Sequence, residues 1–216
     1  MNGELFGLDM SISKMAVLGA GQMGNGITQV AACAGIEVVM IDIKQEFVDR
    51  GISTIEKSLA KLVSKERMSQ EDADSARAKI STSTDRSVCS DVDLVVEAVP
   101  EILDLKISIF SELDGICKPD CILASNTSSI SISTIAESTN RADKVIGMHF
   151  MNPVPIMKLV EVINGKDTSE EVTASVLEAA ERMGKIPLMC NDSPGFVSNR
   201  ILCPMINEAI LTLQEG

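Results

Sequence analysis

Two hydrophobic rhythms alternate along the chain. Short, nearly continuous apolar runs at residues 15–18, 37–41, 93–99, 121–124, 144–149 and 186–190, with a weaker one at 80–84, read as strands. Between them apolar residues recur at three- and four-residue steps, the mark of helices with one buried side. Such stripes follow Gly24, run from Val48 through Ile52, Ile55, Leu59 and Leu62 to about Lys65, and reappear at Leu105, Ile109 and Leu113 until Lys118-Pro119-Asp120 stops the helix. Ser69 ahead of Glu71 and Asp72 reads as the N-cap of a shorter polar helix. Helices are also predicted over about 131–137, over 167–183 and along Val197, Ile201, Met205, Ala209 and Leu213, with Pro204 inside the last. The run 158–163 alternates apolar and polar residues and suits a strand returning alongside its predecessor. Strands alternating with helices at this spacing predict an α/β fold: a doubly wound, mostly parallel Rossmann-type sheet with a helical excursion between strands two and three.

The first strand enters Gly19, Gly21 and Gly24, spaced G-x-G-x-x-G, and a helix leaves them. Each glycine answers a different need: a sharp turn, close approach to a pyrophosphate, and tight packing of helix on strand. The helix N-terminus then offers free N–H groups to the phosphates. Asp42 stands at the tip of the second strand, 18 residues beyond Gly24. An acid there accepts the ribose hydroxyls of an adenosine and repels a 2′-phosphate, which favours NAD over NADP. The other use of such an acid is to cap the following helix, and Lys44 nearby could soften the preference.

The 216 residues allow one large domain, or one plus a fragment of a second. Five Phe stand without Tyr or Trp, leaving Met, Ile and Val to fill the interior; a cofactor ring is not expected to be held by aromatic stacking. A net charge of −12 without a basic tract argues against nucleic acid and anionic membranes as partners. The six cysteines form no C-x-x-C pair and have no histidine at ligand spacing, so no metal is expected and they read as buried free thiols of a reducing, cytoplasmic setting. Residues 1–13 read as a flexible tail, neither a signal peptide nor an anchor, and no run approaches a membrane span.

In doubly wound sheets ligands sit at the carboxyl ends of the strands, where Gly19, Asp42, Glu97, Ser128 and His149 all fall. His149 is the only histidine and leaves its strand into a loop stiffened by Pro153 and Pro155. Glu161, twelve residues later, lies on the returning strand. A carboxylate beside an imidazole fixes its tautomer and favours it as a proton acceptor.

Taken in order, GAGQMG at Gly19, VVEAVPE at Val95, ASNTSS at Ala124, GMHFMNPVPIMKLVEV at Gly147 and SPGFVSNR at Ser193 resemble the 3-hydroxyacyl-CoA dehydrogenases, especially the short-chain type acting on 3-hydroxybutyryl-CoA. The resemblance implies that His149 is a general base oriented by Glu161, with the hydride passing from substrate C3 to the nicotinamide. It implies that Ser128 and Asn199 hold the substrate near the reacting oxygen, supported by Asn152. Cofactor contacts are expected at Gly19, Gly21, Gln22, Met23, Gly24, Asp42, Glu97 and Asn126. Ser58 and Lys65 would hold coenzyme A; otherwise their stripe is a solvated helix face. Residues 14–194 are expected to form the NAD-binding domain and 195–216 the first helix of a helical domain that is otherwise truncated, with reduced turnover and altered association. Its exposed apolar face invites a homo-oligomer. Two other readings remain at this point: a non-catalytic NAD-binding relative, redox-sensing or structural, and a dehydrogenase of free β-hydroxyacids, which would use lysine for acid–base work.

Overall fold

The computed structural model describes residues 11–216. Its strands are β1 (Lys14–Leu18), β2 (Glu37–Ile41), β3 (Ile80–Ser83), β4 (Leu94–Glu97), β5 (Ile122–Ser125), β6 (Val145–Phe150), β7 (Leu159–Asn164) and β8 (Ile186–Asn191). The helices are α1 (Gln22–Cys33), α2 (Gln45–Ser64), α3 (Gln70–Ala78), α4 (Leu103–Ile116), α5 (Ile132–Ala136), α6 (Glu170–Arg182) and α7 (Ser198–Gln214). One sheet runs β3-β2-β1-β4-β5-β6-β7-β8. Every neighbouring pair is parallel except β6 with β7.

Period-two alternation divides the core between the two faces. Met15 and Val17 point to the side covered by α1, α2, α3 and α6, with Ile27, Ile55, Ala73 and Val176 above them. Ala16 and Leu18 point to the side covered by α4 and α5, with Ile109, Phe110 and Ile135. Ser69 caps α3 as expected, accepting the Asp72 N–H, and Ser169 caps α6 through the Val172 N–H.

Several expectations change. Of the tail expected over 1–13, residues 1–10 lie outside the described residues, but Ile12 is buried and Ser13 hydrogen-bonds Asp93, so the packed domain starts before Lys14. A 3-10 turn over Arg86–Asp91, without a periodic signature, leads into β4. The cysteines are all free, yet only Cys89, Cys117 and Cys121 are buried; Cys33 and Cys203 are exposed and Cys190 is half-buried. Unchanged is the exposed apolar face expected of the last helix: α7 buries none of its residues, leaving Ile201, Met205, Ile210 and Leu213 on the surface. Among the described residues, no helix is long and apolar enough to cross a membrane.

Candidate active site

The glycine turn is built as its spacing demands. Gly19 sits at φ +100°, and a Cβ there would come within 2.5 Å of the Ala98 carbonyl oxygen. A Cβ at Gly24 would fall 1.7 Å from the Gly19 oxygen, so α1 can start this close to β1 only with glycine. Gly21 faces open space and is the N-cap of α1, whose first turn has neither a side-chain cap nor an acid of its own. These free N–H groups fit a pyrophosphate. The turn, with Gln22 and Met23, lines a cleft of about 890 Å³ together with Asp42.

Asp42 does not cap α2, whose N-cap is Lys44. Its Oδ2 accepts the Ala20 N–H at 2.7 Å and its Oδ1 the Ile43 N–H at 2.7 Å, tying the tip of β2 to the glycine turn. Lys44 is exposed and faces Glu46 at 3.8 Å. Phe47 also lines the cleft, flanked by Lys44 and Arg50, so an aromatic ring does stand where none was expected to grip a cofactor.

The antiparallel pairing of β6 with β7 sets His149 directly opposite Glu161. His149 Nδ1 lies 2.8 Å from Glu161 Oε2, both residues buried, and the Phe196 ring packs against the imidazole at 5.9 Å between centroids. Glu161 Oε1 accepts the N–H groups of Val197 and Ser198 at 3.1 and 2.8 Å. Burial raises the Glu161 pKa, but the bonds from His149, Ser198 and Val197 outweigh it and hold the carboxyl below its ordinary value. An ionised acceptor at Nδ1 calls for the proton on that nitrogen, and in the neutral ring that tautomer leaves Nε2 with the lone pair.

Other expected residues gather around this pair through backbone links. Asn126 Oδ1 accepts the Phe150 N–H at 2.9 Å, securing the end of β6. Asn199 Nδ2 donates to the Ser128 carbonyl at 3.2 Å, and both line a second cavity of about 630 Å³. Gln22 Nε2 donates to Asn152 Oδ1 at 3.0 Å, joining the start of α1 to the loop after His149. His149 and Glu161 themselves line neither cavity; Ser198, whose N–H bonds Glu161, directly precedes Asn199 on the wall of the second, and Asn152 follows His149 by three residues and bonds Gln22 on the wall of the first.

Three expected residues are placed differently. Glu97 is wholly buried and engaged by Lys106 Nζ at 2.7 Å, the Val99 N–H at 2.7 Å and Ser125 Oγ at 2.7 Å, so it braces the end of β4 and is absent from the cleft wall. Ser58, half-buried, and Lys65, exposed, lie toward the far end of α2 and line neither cavity. The acid that reaches the serine loop is Glu101, which accepts from Thr127 Oγ1 and from the Ser128 N–H at 2.9 Å and pairs with Lys106 at 3.3 Å. Burial raises its pKa, and the Thr127, Ser128 and Lys106 contacts outweigh that and lower it. Among the described residues no cluster suited to a metal ion occurs.

A dinucleotide cleft at the switch point of a doubly wound sheet, with a buried imidazole–carboxylate pair on β6 and β7, marks a nicotinamide-dependent oxidoreductase. A family profile described as 3-hydroxyacyl-CoA dehydrogenase, NAD binding domain, matches residues 14–193. The chain is 54% identical to a probable 3-hydroxybutyryl-CoA dehydrogenase of Deinococcus radiodurans, over 94% of this chain and 73% of that one. It is 45% identical to the 3-hydroxybutyryl-CoA dehydrogenase of Clostridioides difficile, over 94% and 72%. The crystal structure of (S)-3-hydroxybutyryl-CoA dehydrogenase from Ralstonia eutropha superposes with a TM-score of 0.93 at 49% identity, covering 95% of this chain and 73% of that one. The chain belongs to the 3-hydroxyacyl-CoA dehydrogenase family, and its cofactor is NAD.

Proposed function

We propose that the protein interconverts (S)-3-hydroxyacyl-CoA and 3-ketoacyl-CoA, with His149 as general base and Glu161 as its orienting partner. The observation that carries this reading is the 2.8 Å contact between His149 Nδ1 and Glu161 Oε2. With its Nδ1 proton engaged, the imidazole presents Nε2 to take the substrate hydroxyl proton, and returns it to the ketone oxygen in reverse. When bound, NAD+ supplies the hydride acceptor. The free N–H groups at the start of α1 would hold its pyrophosphate and Asp42 its adenosine ribose. Ser128 and Asn199 would bind the substrate oxygen from the second cavity, with Asn152 steadying the loop after His149. Ser58 and Lys65 remain candidates for the coenzyme A moiety only through family likeness.

Six free cysteines support a reducing compartment, and the exposed apolar side chains of α7 support association of two copies, which sizing in solution tests. The catalytic reading is tested by following NADH oxidation with acetoacetyl-CoA in the parent chain and in His149→Ala. Loss of turnover with NADH binding retained is expected; turnover within about 10-fold of the parent would refute it, since acid–base catalysis is worth about 10²–10⁴-fold. A family member that binds NADH without turnover would show no activity in either chain, and a free-acid dehydrogenase would reduce acetoacetate in preference to acetoacetyl-CoA.

A further inference from the structure

Lys185, in the turn between α6 and β8, is a cation in an unusual place. It is 8% exposed, and burial depresses its pKa. No carboxylate pairs with it among the described residues. Its Nζ instead donates to two backbone carbonyls, those of Val154 and, at 2.9 Å, Met157. Burying an ammonium without a counter-charge is costly, so its partners point to what it holds.

Both carbonyls belong to the segment joining β6 to β7, the strands that carry His149 and Glu161. That segment is seated on α1 as well. Val154 is buried, and a Cβ at Gly26 would come 2.8 Å from Val154 Cβ, so side chain and helix backbone are in close contact. At the segment's start, Asn152 receives the Gln22 amide at 3.0 Å. The segment is thus fixed to the dinucleotide-binding helix on one side and to the Lys185 ammonium on the other. On the β8 side the Ile186 N–H bonds the Lys158 carbonyl at 2.8 Å, continuing the same attachment.

We infer that Lys185 is a positioning residue: by holding the Val154 and Met157 carbonyls it presses the 151–158 segment onto α1 and so sets the imidazole of His149 relative to the dinucleotide cleft. The inference rests on the reading of His149 as the base, since positioning matters only if that ring reacts. A displacement of about 1 Å at a reacting group can cost about 10²-fold in rate.

The test compares Lys185→Met, which keeps the stem and removes the donor, with Lys185→Arg, which keeps a cation. For acetoacetyl-CoA reduction, Lys185→Met should lower kcat by about 10–100-fold while the Kd for NADH stays within about 3-fold, and Lys185→Arg should recover most of kcat. Because His149 is the only histidine, its ¹⁵N and ¹H imidazole resonances give a second readout that needs no turnover. They should shift or broaden in Lys185→Met and return toward the parent in Lys185→Arg. Unchanged kcat together with unchanged imidazole signals in Lys185→Met would overturn the inference. If Lys185→Met does not fold, Gly26→Ala, which pushes on Val154 from the opposite side, decides: kcat and imidazole signals like the parent's would overturn it equally. Activity surviving in His149→Ala would instead remove the underlying reading of the base, whereas the resonances report on Lys185 regardless.

Discussion

Replacing Glu161 by Gln changes one atom and one charge, and the structure dictates how the new amide must lie. Glu161 Oε1 receives two backbone N–H groups, from Val197 and Ser198, while Oε2 faces His149 Nδ1. If the amide nitrogen faced Val197 and Ser198, two buried donors would be left without an acceptor, at roughly 2–6 kcal/mol in all. The carbonyl oxygen therefore stays on the backbone and the NH₂ points at the imidazole. Nδ1 must then accept, which moves the ring proton to Nε2 and removes the lone pair proposed to take the substrate proton. The comparable amide beside the histidine of a serine-protease triad costs about 10⁴-fold through the wrong tautomer. For Glu161→Gln we expect kcat for 3-hydroxybutyryl-CoA oxidation, read as NADH absorbance, to fall by about 10³–10⁴-fold. Binding of NADH should be preserved, because no atom of the glycine turn bonds Glu161. Imidazole ¹⁵N shifts should report protonated Nε2 in place of protonated Nδ1. A variant that keeps kcat within about 10-fold of the parent would refute the tautomer argument, as would an imidazole still protonated at Nδ1 in an inactive variant.

Three further outcomes follow from the same geometry. Asp42→Ala should raise the KM for NAD+ by about 10–100-fold, the worth of a hydrogen bond to a charged group, with a smaller effect on NADP+; equal losses would mean that Asp42 acts only by fastening the glycine turn through Ala20. Lys106→Met leaves Glu97 buried without its partner and should cost about 3–5 kcal/mol of stability, seen as a lowered Tm; an unchanged Tm would show that Glu97 finds another partner. Burial raises the Asp93 pKa, yet its bonds from Lys118, Lys14 and Ser13 prevail and hold it at about 2. A depressed carboxyl contributes stability that is complete above its unfolded value and lost as the pH falls toward the folded one. Acid titration followed by circular dichroism should therefore show Asp93→Asn less stable than the parent at neutral pH, with a shallower decline between about pH 4 and 2.

The sheet could be read from the sequence because its central strands are buried on both faces and so appear as unbroken apolar runs. The pairing of His149 with Glu161 was legible for a related reason: an alternating run twelve residues on, after a proline-bearing loop, has few places to go except back alongside. Glu97 was misplaced by that same logic. The end of a parallel strand is where ligands bind, but which acid at such an end faces the cleft depends on what covers it, and Lys106 arrives from α4 by tertiary packing. Glu101 and Lys185 carried no periodic signal, since each acts on a loop, Glu101 on the Thr127 hydroxyl and the Ser128 N–H and Lys185 on the Val154 and Met157 carbonyls. Phe47 was passed over because its spacing on α2 says nothing of the cleft that β1 and β2 open beside it. Cys33 and Cys203 show that the apolar character of a thiol does not bury it when its helix face is outward.

The carboxylate that steadies the imidazole also fastens the first turn of α7, a rod of seventeen residues and about 25 Å. Leverage on that rod ends at Val197 and Ser198, one hydrogen bond from the acid and two from the ring. A tag or fusion attached beyond α7 would therefore hang on a handle whose pivot is the carboxylate beside His149, and rate measurements on such chains would register the handle's load as well as the chemistry.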